Sequence, residues 1–162
     1  MDEDCASWDC KQHVVPADGE INDVLGRLQS MGHAEVTVIG ALPNVVSSLW
    51  AGLSTRTVVI TGERREHYLL GRRHYFTSEV ELEEFERQLI LTVRDPDEIH
   101  RNETKPFTVI LWRRVSPERH MRVVVALSGS EQLSNSVITA WRPSHRKYRK
   151  ARESNRLLWE KV

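Results

Sequence analysis

Phe107-Thr108-Val109-Ile110-Leu111-Trp112-Arg113-Arg114-Val115-Ser116-Pro117-Glu118-Arg119-His120-Met121-Arg122-Val123-Val124-Val125-Ala126-Leu127 decides the fold. Two apolar, β-branched runs with a period near two flank the joint Ser116-Pro117-Glu118-Arg119. A side-chain period of two is a strand signal. A joint this short and polar favours an antiparallel return. Ser136 to Trp141 supplies a third strand after Ser128-Gly129-Ser130, and Glu98 to Asn102 a weaker one before Glu103-Thr104-Lys105-Pro106. These segments predict an antiparallel meander.

Towards the N-terminus the period becomes helical. Asp18 can N-cap a helix whose stripe is Ile21, Val24, Leu25 and Leu28, with Gly32 as its stop. Val36 to Ile39 and Arg56 to Thr61 read as strands, with a helix from Ala41-Leu42-Pro43 to about Leu53 between them. A helix runs from about Glu63 to Gly71. Ser78 and Glu81 form a capping box for the next one. That helix is expected to bury Val80, Leu82, Phe85, Leu89 and Ile90, to turn Glu79, Glu83, Glu84 and Glu86 to water, and to stop at Asp95-Pro96-Asp97. Helices first and strands later predict an α+β fold, with N-terminal helices packed on one face of a C-terminal antiparallel β-meander sheet. The expected organisation is a flexible arm over 1–16, one domain over 17–143 and a basic C-terminal helix over 144–162, with Leu157, Leu158 and Trp159 near its end.

With 162 residues, 40% of them hydrophobic, the chain can bury one real core. No run approaches about 18 apolar residues, so no membrane span is expected. The acidic opening Met1-Asp2-Glu3-Asp4 does not resemble a secretory signal, so a cytoplasmic location, or export by a route without a Sec signature, is expected. Zero net charge argues against coating nucleic acid by bulk charge. Yet residues 142–152 hold six Arg or Lys and no acid, and 79–103 hold nine Asp or Glu. Arginine outnumbers lysine eighteen to five, which fits phosphate contact and equally a GC-rich genome. Cys5, Cys10 and His13 lack a fourth ligand and close cysteine spacing, so free thiols are expected there and no metal. Walker, dinucleotide, His-Glu-x-x-His and Gly-x-Ser-x-Gly patterns are absent, and no cofactor is expected.

Chemistry concentrates in Arg64-Arg65-Glu66-His67-Tyr68-Leu69-Leu70-Gly71-Arg72-Arg73-His74, which places two imidazoles and four guanidiniums in eleven residues. On one continuous helix His67 and His74 would face within about 20° of each other but lie ~10 Å apart along the axis. Gly71 can break the helix and bring His74 closer. RNA cleavage needs a base for the 2′-hydroxyl, an acid for the departing 5′-oxygen and fixed positive charge at the phosphorane. Paired histidines and arginines meet that need; one core and one surface histidine would explain the same residues without chemistry. Alternation sets Thr139 and Trp141 on one strand face and Ile138 and Ala140 on the other. If Ile138 faces the helices, Thr139 can hold a phosphate and Trp141 can stack on a base. Arg122 and Arg113 are candidates for the same open face. His100 is either a third imidazole of the site or strand-edge decoration.

Val58-Val59-Ile60-Thr61, His67 to His74, Asp95-Pro96-Asp97-Glu98-Ile99, Val123-Val124-Val125 and Val137-Ile138-Thr139-Ala140-Trp141, in that order, resemble the phage-associated branch of the barnase/EndoU/colicin/RelE-like nuclease superfamily. The resemblance covers about 36–143. It implies an α+β nuclease domain that cleaves RNA without metal, found in phage proteins and bacterial toxins. It implies catalytic or phosphate-binding roles for His67, His74 and Thr139, with Arg122 and Arg142 matching less clearly. The full expectation adds Arg72, Arg73, Arg122, Trp141 and Arg142 as substrate contacts, RNA (such as tRNA) as partner, and an inhibitor or antitoxin protein. The alternative is a nucleic-acid-binding or protein-interaction module without catalysis, using the basic 142–152 stretch.

Overall fold

The computed structural model describes residues 18–72, 78–130 and 133–162. Its elements are α1 (Asp18–Ser30), β1 (Val36–Ala41), α2 (Val45–Leu49), β2 (Thr57–Thr61), α3 (Gly62–Arg72), α4 (Glu79–Arg94), β3 (Glu98–Arg101), β4 (Thr108–Ser116), β5 (Arg119–Ala126), β6 (Asn135–Trp141), α5 (His145–Ser154) and β7 (Leu157–Glu160). The strands form one seven-stranded sheet in the order β1-β2-β6-β5-β4-β3-β7. The expected meander β3-β4-β5-β6 is its centre, and every pairing is antiparallel except β2 with β6. The fold is α+β, with helices packed against a mixed sheet.

Strand alternation divides the apolar residues between two faces. Leu25 and Leu28 of α1, Tyr68 of α3, and Phe85, Leu89 and Ile90 of α4 pack on Ile60, Ile99, Val109, Leu111, Val123 and Val137 in the larger core. The intervening strand residues Ile110, Trp112 and Val124 form a smaller core with Tyr148 of α5 on the opposite face. The cores are built from nonpolar side chains withdrawn from water, each contributing roughly 1.5–3 kcal/mol when fully buried.

Ser78 accepts the Glu81 N–H at 3.3 Å, as the capping signal predicts. Two details of α4 differ from expectation. Val80 is 74% exposed, because the first turn precedes the part of the helix that crosses the sheet. Glu86 is fully buried instead of facing water. Arg65 grips it with Nε and Nη2, each at 2.8 Å, and the Tyr68 hydroxyl donates to it at 2.5 Å. A buried carboxylate is tolerable only when so paired.

The parallel β2/β6 junction is fastened by Asn135. Its Nδ2 donates to the Thr55 and Thr57 carbonyls at 2.7 and 3.0 Å, and its Oδ1 accepts from Ser128 N at 2.8 Å. The C-terminus also departs from expectation. The basic helix ends at Ser154, and Leu157–Glu160 forms an edge strand on β3, so 144–162 is not helical throughout. Three successive apolar residues complete a sheet edge better than a helical stripe, whose apolar positions are spaced by three or four. Among the described residues, no helix is long and apolar enough to cross a membrane.

Candidate active site

The register aligns a row across the sheet face that α5 partly covers. Glu98 of β3 lies opposite Trp112 of β4, Trp112 opposite Arg122 of β5, and Arg122 opposite Trp141 of β6. Cross-strand partners share a face, so acid, indole, guanidinium and indole stand side by side. The Arg122 guanidinium lies 5.9 Å from the Trp112 ring centroid. The Lys147 ammonium, from the first turn of α5, sits 5.1 Å from that of Trp141. A second row sets His100, Ile110, Val124 and Thr139 opposite one another.

Helix α5 completes the site. Ser144 caps it by accepting the Lys147 N–H at 3.3 Å, and His145 N donates to the Glu118 carbonyl at 2.9 Å. These bonds pin the helix start to the β4–β5 turn. There the His145 Nδ1 and His120 Nε2 atoms are 2.9 Å apart. The His120 ring is stacked on Tyr148, 3.9 Å between centroids and 14° from parallel. The Tyr148 hydroxyl hydrogen-bonds Glu98, whose carboxylate also meets Arg152 Nη1 at 3.0 Å and His100 Nε2 at 2.8 Å. A cavity of about 190 Å³ opens among Asp97, Glu98, Trp112, Arg114, His120 and Tyr148.

The electrostatics follow from this packing. Burial pushes the His120 imidazole down to about 4, assisted by the facing His145 and by Arg114, so it is neutral near pH 7. Burial also lowers His100, against the pull of Glu98. Glu98 lies below its ordinary range: burial acts to raise it, but the bonds from Tyr148 and His100 and the charge of Arg152 together prevail. Two buried polar atoms near this cluster, His100 Nδ1 and Trp112 Nε1, have no hydrogen-bond partner among the described residues. His100 Nε2–H donates to Glu98, which leaves Nδ1 an acceptor, whereas the Trp112 Nε1–H is a buried donor beside the cavity and is available to water or ligand.

The expected site residues are divided. Thr139, Trp141 and Arg122 do share the face away from α3 and α4, as alternation predicts. Ile138 does not oppose them: a bulge in the β5–β6 register lets it pack on the smaller core beside Ile110 and Val124. Arg113 turns to the other face and donates to Gln88 of α4 at 3.0 Å. Arg142 likewise leaves the row, its guanidinium 5.7 Å from the Phe85 ring centroid. His67 is exposed on α3, which packs on the larger core through Tyr68, so the sheet separates it from Thr139. Arg72 ends α3. Arg73 and His74, with Cys5, Cys10 and His13, fall outside the described residues. His100 is a fully buried member of the cluster and not edge decoration.

No family model, curated protein or solved structure matches this chain.

Glu98, Trp112, His120, His145, Tyr148 and Arg152 were not singled out from the sequence. The usable signal was alternation: Glu98 and His100, and His120 and Arg122, are each two apart and so share a face. Among the described residues, no group of three or more His, Cys, Asp and Glu side chains is arranged to hold a metal ion. The arrangement can exchange protons at an imidazole, place positive charge beside it and stack a base.

Proposed function

We propose that this chain is a ribonuclease of the barnase/EndoU/colicin/RelE-like kind, with its site on the α5 face of the sheet instead of on α3. The observation that carries the reading is the His120–His145 pair, 2.9 Å apart, beside the row of Arg122 and Trp141. His145 is half-buried and the more accessible of the pair, His120 being 4% exposed. His120 holds its ring as a positioning residue. In the proposed step His145 takes the 2′-hydroxyl proton and the 2′-oxygen bonds to phosphorus. The 5′-oxygen then leaves with a proton from solvent, producing a 2′,3′-cyclic phosphate. Arg122 and Lys147 offset the charge gathering on the phosphorane and Trp141 stacks on a base, while Thr139, level with Val124 and so further along the strand from His120, donates to a neighbouring phosphate.

Incubation with single-stranded RNA and mixed tRNA in EDTA tests this. The expected result is cleavage to cyclic-phosphate ends, reduced about 100-fold or more in His145→Ala and unchanged in His67→Ala. Intact RNA with the wild-type protein, or equal cleavage by His145→Ala, overturns it. A toxin role would add growth arrest on expression, relieved by an inhibitor protein.

A second reading rests on α5, where Arg146, Arg149 and Lys150 are exposed and no acid precedes Glu153. This face supports RNA binding without catalysis. It is favoured if the RNA is recovered whole and log Kd rises linearly with log salt, with a slope set by the phosphates contacted.

A further inference from the structure

Phe107 has a backbone φ of 62°, the only positive φ outside glycine among the described residues. A bulky side chain rarely adopts this left-handed region, because its Cβ crowds the backbone. Its carbonyl accepts the Leu127 N–H at 2.8 Å, which fixes the turn into β4. Glycine would meet that backbone demand without strain. Phe107 is also 75% exposed, so its ring gains little from burial. A strained backbone holding an aromatic ring in water indicates a use for the ring outside the core.

Beside it lies a cavity of about 380 Å³, whose lining includes Trp50, Arg101, Asn102, Lys105, Phe107 and Leu158. Its volume falls in the range of small-molecule sites. Among the described residues, no carboxylate lines it. Among the described residues, neither Arg101 nor Lys105 has an acidic partner. Asn102 Oδ1 accepts from Thr104 N at 3.2 Å and Thr104 Oγ1 at 2.8 Å, which orients the amide. Its Nδ2 makes no hydrogen bond among the described residues. The lining thus combines two aromatic rings, two uncompensated cations and one oriented amide donor.

We propose that this cavity binds a nucleoside monophosphate. The base stacks on Phe107 and Trp50, the phosphate sits between Arg101 and Lys105, and Asn102 Nδ2 donates to an acceptor on the base edge. An inorganic anion would have no use for the rings, and a hydrocarbon ligand none for the cations. The site is distinct from the proposed ribonuclease site. Arg101 lies opposite Val109, which faces the larger core, whereas Glu98 and Trp112 face the smaller one. It therefore stands whether or not the chain cleaves RNA.

Calorimetric titration of the full chain at low salt, with each of the four nucleoside 5′-monophosphates, tests the proposal. Adenosine and inorganic phosphate serve as comparisons. At least one monophosphate should bind one to one, at least about tenfold more tightly than either fragment, and more weakly as salt rises. Lys105→Glu and Phe107→Gly should each weaken it about tenfold or more, while His145→Ala leaves it unchanged. Phe107→Gly should also raise the melting temperature, so its lost binding cannot come from unfolding. No binding up to about 10 mM, phosphate binding as tight as nucleotide, or binding lost in His145→Ala and kept in Phe107→Gly would each overturn the assignment. A fall in melting temperature for Phe107→Gly would return the ring to a structural role and overturn it too.

Discussion

Acidification should destabilise the fold through His120, and the size of the effect follows from its surroundings. The residue is 4% exposed, and its imidazole is pushed down to about 4. Unfolding returns it to an ordinary value near ~6.5. Between those values the unfolded chain binds the extra proton and the folded chain does not, so stability rises with pH through that window. The contribution is intact above the unfolded value and is lost as pH falls towards 4. From pH 7 to pH 4.5, linkage gives about 2.4 kcal/mol without screening. The ring borders an open cavity and its partner His145 is only half-buried, so solvent reduces this to ~1–2 kcal/mol. Urea denaturation of wild type and His120→Gln at both pH values isolates the effect, because carboxylates and His100 are common to both chains. Wild type should lose ~1–2 kcal/mol more than the variant, roughly 0.5–1 M in midpoint at a slope near 2 kcal/mol/M. Equal losses, or a larger loss in His120→Gln, would refute the account of a neutral buried imidazole.

Glu86→Ala strands the Arg65 guanidinium and the Tyr68 hydroxyl, and should cost about 3–5 kcal/mol, seen as a fall of roughly 10 °C in thermal unfolding; a loss below ~1 kcal/mol would contradict the buried pairing. Gly62→Ala places a Cβ against the Gly32 and His33 carbonyl oxygens and should cost more than about 2 kcal/mol. Gly71→Ala, with nothing within 4 Å, should be neutral or gain up to ~1 kcal/mol; melting curves of the two variants in the opposite order would count against the α3 packing. Asn135→Ala removes three hydrogen bonds at the β2/β6 junction and should cost roughly 1–3 kcal/mol, with faster amide exchange at Ser128 as the local readout.

The strands were legible because their evidence is local. Period two and short polar joints are contained within a few residues, and β4, β5 and β6 lie where those signals put them. Register is not local. The row from Glu98 to Trp141 exists because four strands align at one level, and alternation names each residue's face but not its height. Glu86 shows a different failure. It lies four residues from both Leu82 and Ile90, so helical spacing favours the buried side. Reading its charge alone sent it to water, because Arg65, 21 residues earlier, is a tertiary partner. Leu157-Leu158-Trp159 was ambiguous for a related reason: a short apolar run does not distinguish strand from helix until a free sheet edge is known.

The same distinction decides where an acid–base site can stand. Thr139, Arg122 and Trp141 were legible as a face, yet His67 was grouped with them through its histidine- and arginine-rich stretch and the resemblance to the nuclease superfamily. Tyr68 anchors α3 to the larger core, and a sheet with its side chains is about 10 Å through. A general base must come within about 3 Å of the proton it removes, directly or through one water. His67, exposed on the far side of α3 from that core, does not meet this condition for a phosphate held on the Arg122–Trp141 row. His145 starts the helix that covers the Thr139 face, with Lys147 of the same turn over Trp141. For the proposed cleavage the base therefore has to come from the α5 face, and His145 rather than His67 is the side chain whose removal tests it.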